Sequence, residues 1–363
     1  MRDVTYIKLV IFGKKPETEF CDANHDGRVS MLDVVQTKLI IVGKEAKLTI
    51  VDSADRIVTV SMPVERIVPM VTWSYEPIWI LRAQDKVVGI TTTAQEDYSW
   101  LPGIQDKPTV GTYKELDYES VIALEPDIVI VLDRKVEEVE RNLESFGITT
   151  VALNLRSQKK FDSEFKILAY ILGEDEKANR FISWKNGYLD WIKEETEGIE
   201  PKVRVYAEWS DWTWGTGSEG SGVHDVITMS GGYNIASDLP GPYPQVDPEW
   251  VIRENPEVIF FPAFDNLTGY TMDSDENAKL FIEEACNRTG LKETDAVENG
   301  RVYVIDGFCV EAVRGFVGVC YCAKWFYPEL FEDLNPDAIH REYFEKWLGV
   351  PYRGIWAYPL IGG

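Results

Sequence analysis

From residue 47 onward, short β-branched runs alternate with stretches whose apolar residues recur at helical spacing. The runs at 48–51 and 57–60 read as a hairpin, with Asp55 near its turn. Further runs at 66–71, 86–90, 109–110, 127–132 and 149–153 enclose helix candidates at 75–83, 117–124, 135–146 and 163–172. The same grammar then restarts. Strands are predicted at 202–208, 258–261 and 301–305, with helices at 222–230, 247–254, 275–288, 311–327 and 337–348. Apolar strands alternating with helices indicate a parallel sheet covered on both faces. Between the halves, Ala178, Phe181, Ile182, Leu189 and Ile192 fall on one helical stripe within 175–198. That predicts one helix of roughly 30 Å, a strut rather than a flexible linker.

The first 45 residues follow another pattern. Residues 22–33 place Asp22, Asn24, Asp26, Ser30 and Asp33 at positions one, three, five, nine and twelve of a loop, with the Arg28 carbonyl at seven and Gly27 at six. A hard cation takes its oxygens from those positions, and the sixth must turn sharply. The expectation is a Ca2+ loop of EF-hand type; the plain alternative is a solvated acidic turn. Asp33 replaces the usual bidentate Glu, which shortens that arm. The helix after Asp33, with Lys38, Leu39, Ile40, Ile41 and Gly43, repeats Asp3, Lys8, Leu9, Val10, Ile11 and Gly13 at an offset of 30 residues. Asp3 would then be the twelfth position of a first loop, so the chain is expected to begin inside a repeat of a longer protein. The paired loop–helix unit resembles dockerin modules. That resemblance implies a cohesin module as partner and attachment to a scaffold or cell surface.

Composition narrows the classes. A net charge of −24 argues against nucleic acid or an anionic membrane as partner. No run approaches the roughly 18 apolar residues of a membrane span. The five cysteines, an odd number, suggest buried free thiols rather than a disulfide framework.

Several motifs of the larger part are similar to those of ABC-importer substrate-binding proteins, in the group that carries ferric siderophores, haem and cobalamin. They are Pro63-Val-Glu65-Arg66-Ile67-Val68, Asp85 to Ile90, Val110-Gly111, Leu116 to Ile130, its echo Val246 to Phe260, Ser230 to Ala236, and Tyr327-Pro328-Glu329. The resemblance covers about 47–348. It implies an α/β fold of two Rossmann-like lobes joined by one long helix, here preceded by a small α-helical EF-hand or dockerin-like segment. The expected boundaries are 1–45 for that segment, 46–173 for the first lobe, 174–199 for the helix, 200–349 for the second lobe and 350–363 for a tail without an assigned role. Glu119 and Glu249 each begin a helix, where a carboxylate complements the helix dipole. The resemblance adds that such residues meet a permease, one per lobe.

Ligands of open α/β sheets sit beyond the carboxyl ends of the strands, and pockets favour domain interfaces. The candidates there are Trp73, Tyr75 and Tyr113 in the first lobe, and Trp209, Trp212, Trp214, Tyr243, Phe308 and Arg314 in the second. Aromatic faces suit a large planar or multi-ringed ligand held between the lobes; core or inter-lobe packing is the alternative. Arg314 would meet a ligand carboxylate or phosphate, or else form a salt bridge. Three His are too few for direct capture of a transition metal. The expectation is therefore binding without chemistry: an extracellular or surface-attached protein carrying a chelated-metal small molecule, such as a corrinoid, ferric siderophore or haem, to an ABC permease. The alternatives are a dockerin-tethered glycoside hydrolase using Glu208 and Asp211, a carbohydrate-binding protein, or a two-lobed adhesin or sensor.

Overall fold

The computed structural model describes residues 2–18, 21–24, 27–42, 47–112, 114–264 and 266–359. The chain divides into two compact units. One comprises Met1–Leu155 with Lys160–Ile182, the other Arg156–Lys159 with Ser183–Gly363.

In the first unit, the helices Arg2–Ile11 and Met31–Ile41 close around Val4, Ile7, Cys21 and Val34. Ser30 caps the second helix and Asp33 completes a reciprocal capping box. These residues do not stand apart from the lobe. Gln36 Nε2 donates to the Tyr170 hydroxyl at 2.9 Å, and Asn24 Nδ2 to the Thr49 carbonyl at 3.2 Å. The expected boundary at 45 lies outside the described residues.

Strands β1 (Lys47–Val51) and β2 (Ile57–Ser61) form the predicted hairpin, with Asp55 in the left-handed region at φ 57°. Asp52 ties it to the lobe by accepting from Arg56 and from the Ala152 amide. Strands β3 (Ile67–Pro69), β4 (Ile128–Val131) and β5 (Thr149–Ala152) make a parallel sheet in that order. The runs predicted at 86–90 and 109–110 do not form full strands. They make single bridges, Ile67 to Val87 and Ile90 to Thr109. Pro108 has no amide to extend the ladder. At Gly89 an added Cβ would fall 2.6 Å from Leu124, so the backbone passes too close for a side chain.

In the second unit, β6 (Arg204–Ala207), β7 (Tyr233–Asn234), β8 (Val258–Ala263), β9 (Val302–Asp306) and β10 (Ala357–Tyr358) lie in the order β10-β9-β8-β6-β7. All pairings are parallel except β10 on β9. Residues 350–359 are thus part of the sheet unit and not a detached tail. Every residue of β8 and β9 is buried, as strands covered on both faces require. In both units the first strand has the second run on one edge and a later strand on the other. Strand order therefore reverses between β3 and β4, and between β6 and β8.

The helix expected within 175–198 is Asp175–Thr196, and its residues are divided between the units after Ile182. Helices Thr92–Asp97 and Asp295–Glu298 had no clear periodic signal because each is too short to show one. All five cysteines are free, four of them buried.

Candidate functional site

A reversal of strand order opens a crevice beyond the carboxyl ends of the two flanking strands. In the second unit those strands are β6 and β8. The residues that follow them are aromatic: Trp209 comes two after β6, Phe264 directly after β8, and Phe308 two after the adjacent β9. Trp209 and Phe264 lie parallel, with centroids 6.1 Å apart and planes 4° apart. Phe264 meets Phe308 edge-to-face at 5.6 Å and 89°. Phe264 is 38% exposed, and Trp209 and Phe308 are half-buried. Three strand ends thus present one aromatic face.

The loop after Trp209 is held in a tight turn. The Trp212 amide donates to the Trp209 carbonyl, Gly215 to Trp212, and Trp209 back to Gly215, at 3.1, 2.8 and 3.1 Å. Gly215 is needed because a Cβ there would lie 2.1 Å from the Trp212 ring. The turn leaves Trp212 37% exposed. Trp214, at φ 63°, instead rests on the hydrophobic core beneath the guanidinium of Arg288, which is centred 4.2 Å away. Trp214 therefore buttresses the loop.

Glu208 is buried and accepts from Arg288 Nη2 at 2.6 Å and from the Tyr206 hydroxyl at 3.1 Å. Burial raises its pKa, and Arg288 pulls it back. Asp211 is exposed. The carboxylate cast as half of a hydrolytic pair is thus committed to a structural ion pair.

Arg314 does not face outward. It is 3% exposed, with Nη1 on Asp306 Oδ1 at 3.1 Å and its guanidinium centred 4.8 Å from the Phe308 ring and 5.1 Å from that of Trp356. Tyr75 is also removed from the expected set. Its buried hydroxyl donates to the Pro69 carbonyl at 2.6 Å and accepts from the Thr91 amide at 3.1 Å, and burial pushes its pKa up to about 12. A ring at the first position of a helix that packs inward has no other outlet. Trp73 is half-buried in the turn Thr72–Ser74, four residues after β3. Tyr113 lies outside the described residues. Tyr243 is 36% exposed, and its hydroxyl joins Arg156 and Glu311. Burial and Glu311 push its pKa up to about 12.

Glu119 and Glu249 are both exposed, at the second residue of the helices Tyr118–Ala123 and Pro248–Glu254. Each follows an aspartate N-cap by two positions. Asp117 accepts from the Ser120 amide at 3.1 Å, and Asp247 from the Trp250 amide at 2.7 Å. The echo read in the sequence is therefore one local geometry built twice.

In the N-terminal loop, Asp22 Oδ2 accepts from the Gly27 amide at 2.8 Å, folding the loop back on itself. Asp33 is buried. Its Oδ1 accepts from Ala23 and Asn24 amides at 2.8 and 3.3 Å, and its Oδ2 from the Ser30 amide at 2.6 Å. Ser30 Oγ accepts from Leu32, and Arg28 is exposed. Asp26 lies outside the described residues. Among the described residues no group of three or more His, Cys, Asp or Glu is arranged to hold a metal. His25 lies outside the described residues; His224 is half-buried with Nδ1 3.3 Å from Asn234 Nδ2, and His340 is fully buried among aromatic rings.

Sequence reasoning gave Trp356 and Arg288 no role. Trp356 sits in a run without periodicity, and Arg288 is 80 residues from the glutamate it serves.

Comparison with known proteins places this geometry. A vitamin B12-binding protein of Salmonella paratyphi A is 30% identical over 173 residues, 47% of this chain and 65% of that relative. The molybdate-binding protein MolA of Haemophilus influenzae is 22% identical over 340 residues, 84% of this chain and 92% of that relative. A TroA-like periplasmic binding protein, FepB of Veillonella parvula, superposes with a TM-score of 0.76 at 23% identity, over 86% of this chain and 99% of that one. The periplasmic binding protein family model matches residues 70–307, more than half of the chain. From the repeated reversal of strand order to this match, the observations agree: the chain belongs to the periplasmic binding protein family.

Proposed function

We propose that the protein is the extracytoplasmic substrate-binding component of an ABC importer and carries a large, weakly charged chelated-metal ligand, with a corrinoid as the leading class. One observation carries the choice of ligand. The cations near the strand ends of the second unit are already neutralised: Arg288 by Glu208, Arg314 by Asp306 and Arg156 by Glu311. The aromatic face of Trp209, Phe264 and Phe308 remains. A polyanionic ferric siderophore or a small oxyanion needs unspent donors, whereas a corrinoid or haem needs flat apolar surface. The names of the vitamin B12-binding relatives support the first choice, and that of MolA marks the competitor. Delivery rests on Glu119 and Glu249, whose carboxylates stand exposed at matched positions and suit paired contacts with basic groups of a permease. Calorimetric titration with cyanocobalamin, haemin, a ferric siderophore and molybdate tests the reading. Tight binding of cyanocobalamin is expected, and binding of molybdate alone would overturn it.

A second reading concerns the N-terminal loop. The Asp22–Gly27 hydrogen bond and the threefold use of Asp33 draw residues 22–24 toward 27–33, which supports the reading of a hard-cation loop. We propose Ca2+ as its occupant and a cohesin module as the partner of the segment. Because Asp33 already serves three backbone amides, Asp22, Asn24, Asp26 and the Arg28 carbonyl would carry most of the coordination. A rise in thermal midpoint with Ca2+, reversed by chelator and absent in Asp22→Ala, is expected. No rise in the parent protein would return the loop to a self-contained turn.

A further inference from the structure

We propose that the carboxyl-terminal segment ending in β10 is a brace that sets the aromatic ligand face, with Trp356 and Arg314 as positioning residues that touch no ligand. The proposal rests on the ligand reading above and adds the element that shapes it.

The connection can be followed atom by atom. β10 pairs antiparallel on the outer edge of β9, with Ala357 opposite Ile305. The Asp306 amide donates to the Trp356 carbonyl at 2.8 Å, which locks the Trp356 backbone to the last residue of β9. Trp356 is 3% exposed. Its ring lies 4.9 Å from those of both Phe344 and His340, and its Nε1 donates to the Arg353 carbonyl at 3.0 Å. Against it rests the guanidinium of Arg314, which also packs on Phe308. Asp306 Oδ1 accepts from both Arg314 Nη1 and the Phe308 amide, each at 3.1 Å. Phe308 then meets Phe264, and Phe264 lies parallel to Trp209. Gly307 permits this closeness, since a Cβ there would fall 2.2 Å from Phe264.

A planar guanidinium in contact with two rings transmits a displacement of either ring to the other, because interiors are close-packed and leave no slack. Without the segment that leads into β10, Arg314 would lose the Trp356 ring on which it rests. Phe308 is thus placed by a segment nearly 50 residues away in the chain.

The test uses the full chain. Trp356→Ala, Trp356→Phe and Arg314→Lys are compared with the parent by amide hydrogen exchange and by calorimetric titration with cyanocobalamin and haemin. The lysine keeps the charge on Asp306 but not the planar stack. In Trp356→Ala and Arg314→Lys, exchange at peptides containing Phe264 and Phe308 is expected to quicken about tenfold more than at β6 or β4. Affinity for whichever probe binds should fall about tenfold. Trp356→Phe should restore both. Equal acceleration throughout the second unit, or none at Phe308, would overturn the brace. If Trp356→Ala does not fold, Arg314→Lys decides by the same criteria. If neither probe binds the parent protein, the ligand reading fails while the exchange pattern still decides the brace.

Discussion

Glu208 and Arg288 are joined by a 2.6 Å ion pair in which the carboxylate is buried and the guanidinium lies over Trp214. The pair closes the base of the Trp209–Gly215 turn, so the exposed Trp212 stands on a firm anchor. Removing the cation strands a carboxylate. Arg288→Met should cost about 2 kcal/mol at pH 7. The sign of its pH dependence follows from the pKa of Glu208, which burial already raises and loss of Arg288 would raise further. A carboxyl with a raised folded pKa is favourable while protonated and loses that advantage as pH rises through the folded value. The deficit of the variant should therefore shrink between pH 7 and pH 5 in urea titrations. A deficit independent of pH would show that Arg288 does not serve Glu208.

Glu119 and Glu249 take no part in either core. The double variant Glu119→Ala/Glu249→Ala should retain the parent's unfolding midpoint and ligand affinity. Uptake in cells that depend on this protein should be abolished. Undiminished uptake would remove both residues from docking.

The Trp209 ring lies parallel to that of Phe264, and under the proposed function it also contacts the ligand. Trp209→Ala should weaken ligand binding by about 1 kcal/mol or more. An unchanged calorimetric affinity would assign Trp209 to packing alone.

His340 is enclosed by Tyr321, Tyr343, Phe344, Tyr352 and Trp356. Burial, and then the charge of Arg314, holds its pKa well below the ordinary 6.5. A base with a depressed folded pKa gives stability that is full above about 6.5 and is lost as the pH falls from there toward the folded value. His340 should contribute a loss of up to about 1.4 kcal/mol per pH unit in that window. His340→Phe should flatten the stability profile between pH 6.5 and 5 relative to the parent. Parallel profiles would mean that the imidazole does not report on folding there.

Much of this was legible beforehand because it is local. Buried parallel strands need unbroken apolar runs, so β4, β8 and β9 were visible as words in the chain. Helix starts need a capping side chain, so the matched Asp117–Glu119 and Asp247–Glu249 pairs could be read as one motif used twice. Trp209 and Phe308 could be placed just after strands because both follow an apolar strand run by two residues. The misplacements share a cause. Tyr75 and Arg314 lie in the connections after strands, six residues past β3 and eight past β9, and position in a connection does not say whether a side chain turns outward or in. Tyr75 found a carbonyl and an amide in the core; Arg314 found Asp306 and two rings.

The sequence by itself determined the alternation of strands and helices, its restart after a long helix, the aromatic strand ends and the calcium-type spacing at residues 22–33. Each depends on residues within a few positions of one another, where periodicity and capping act. Only the tertiary structure decided that Arg288 serves Glu208, that Arg314 leans on Trp356, and that the last described residues complete a sheet. Those pairings join positions tens of residues apart, and burial selects them: a charge or ring removed from water takes whatever partner the packed chain brings within reach.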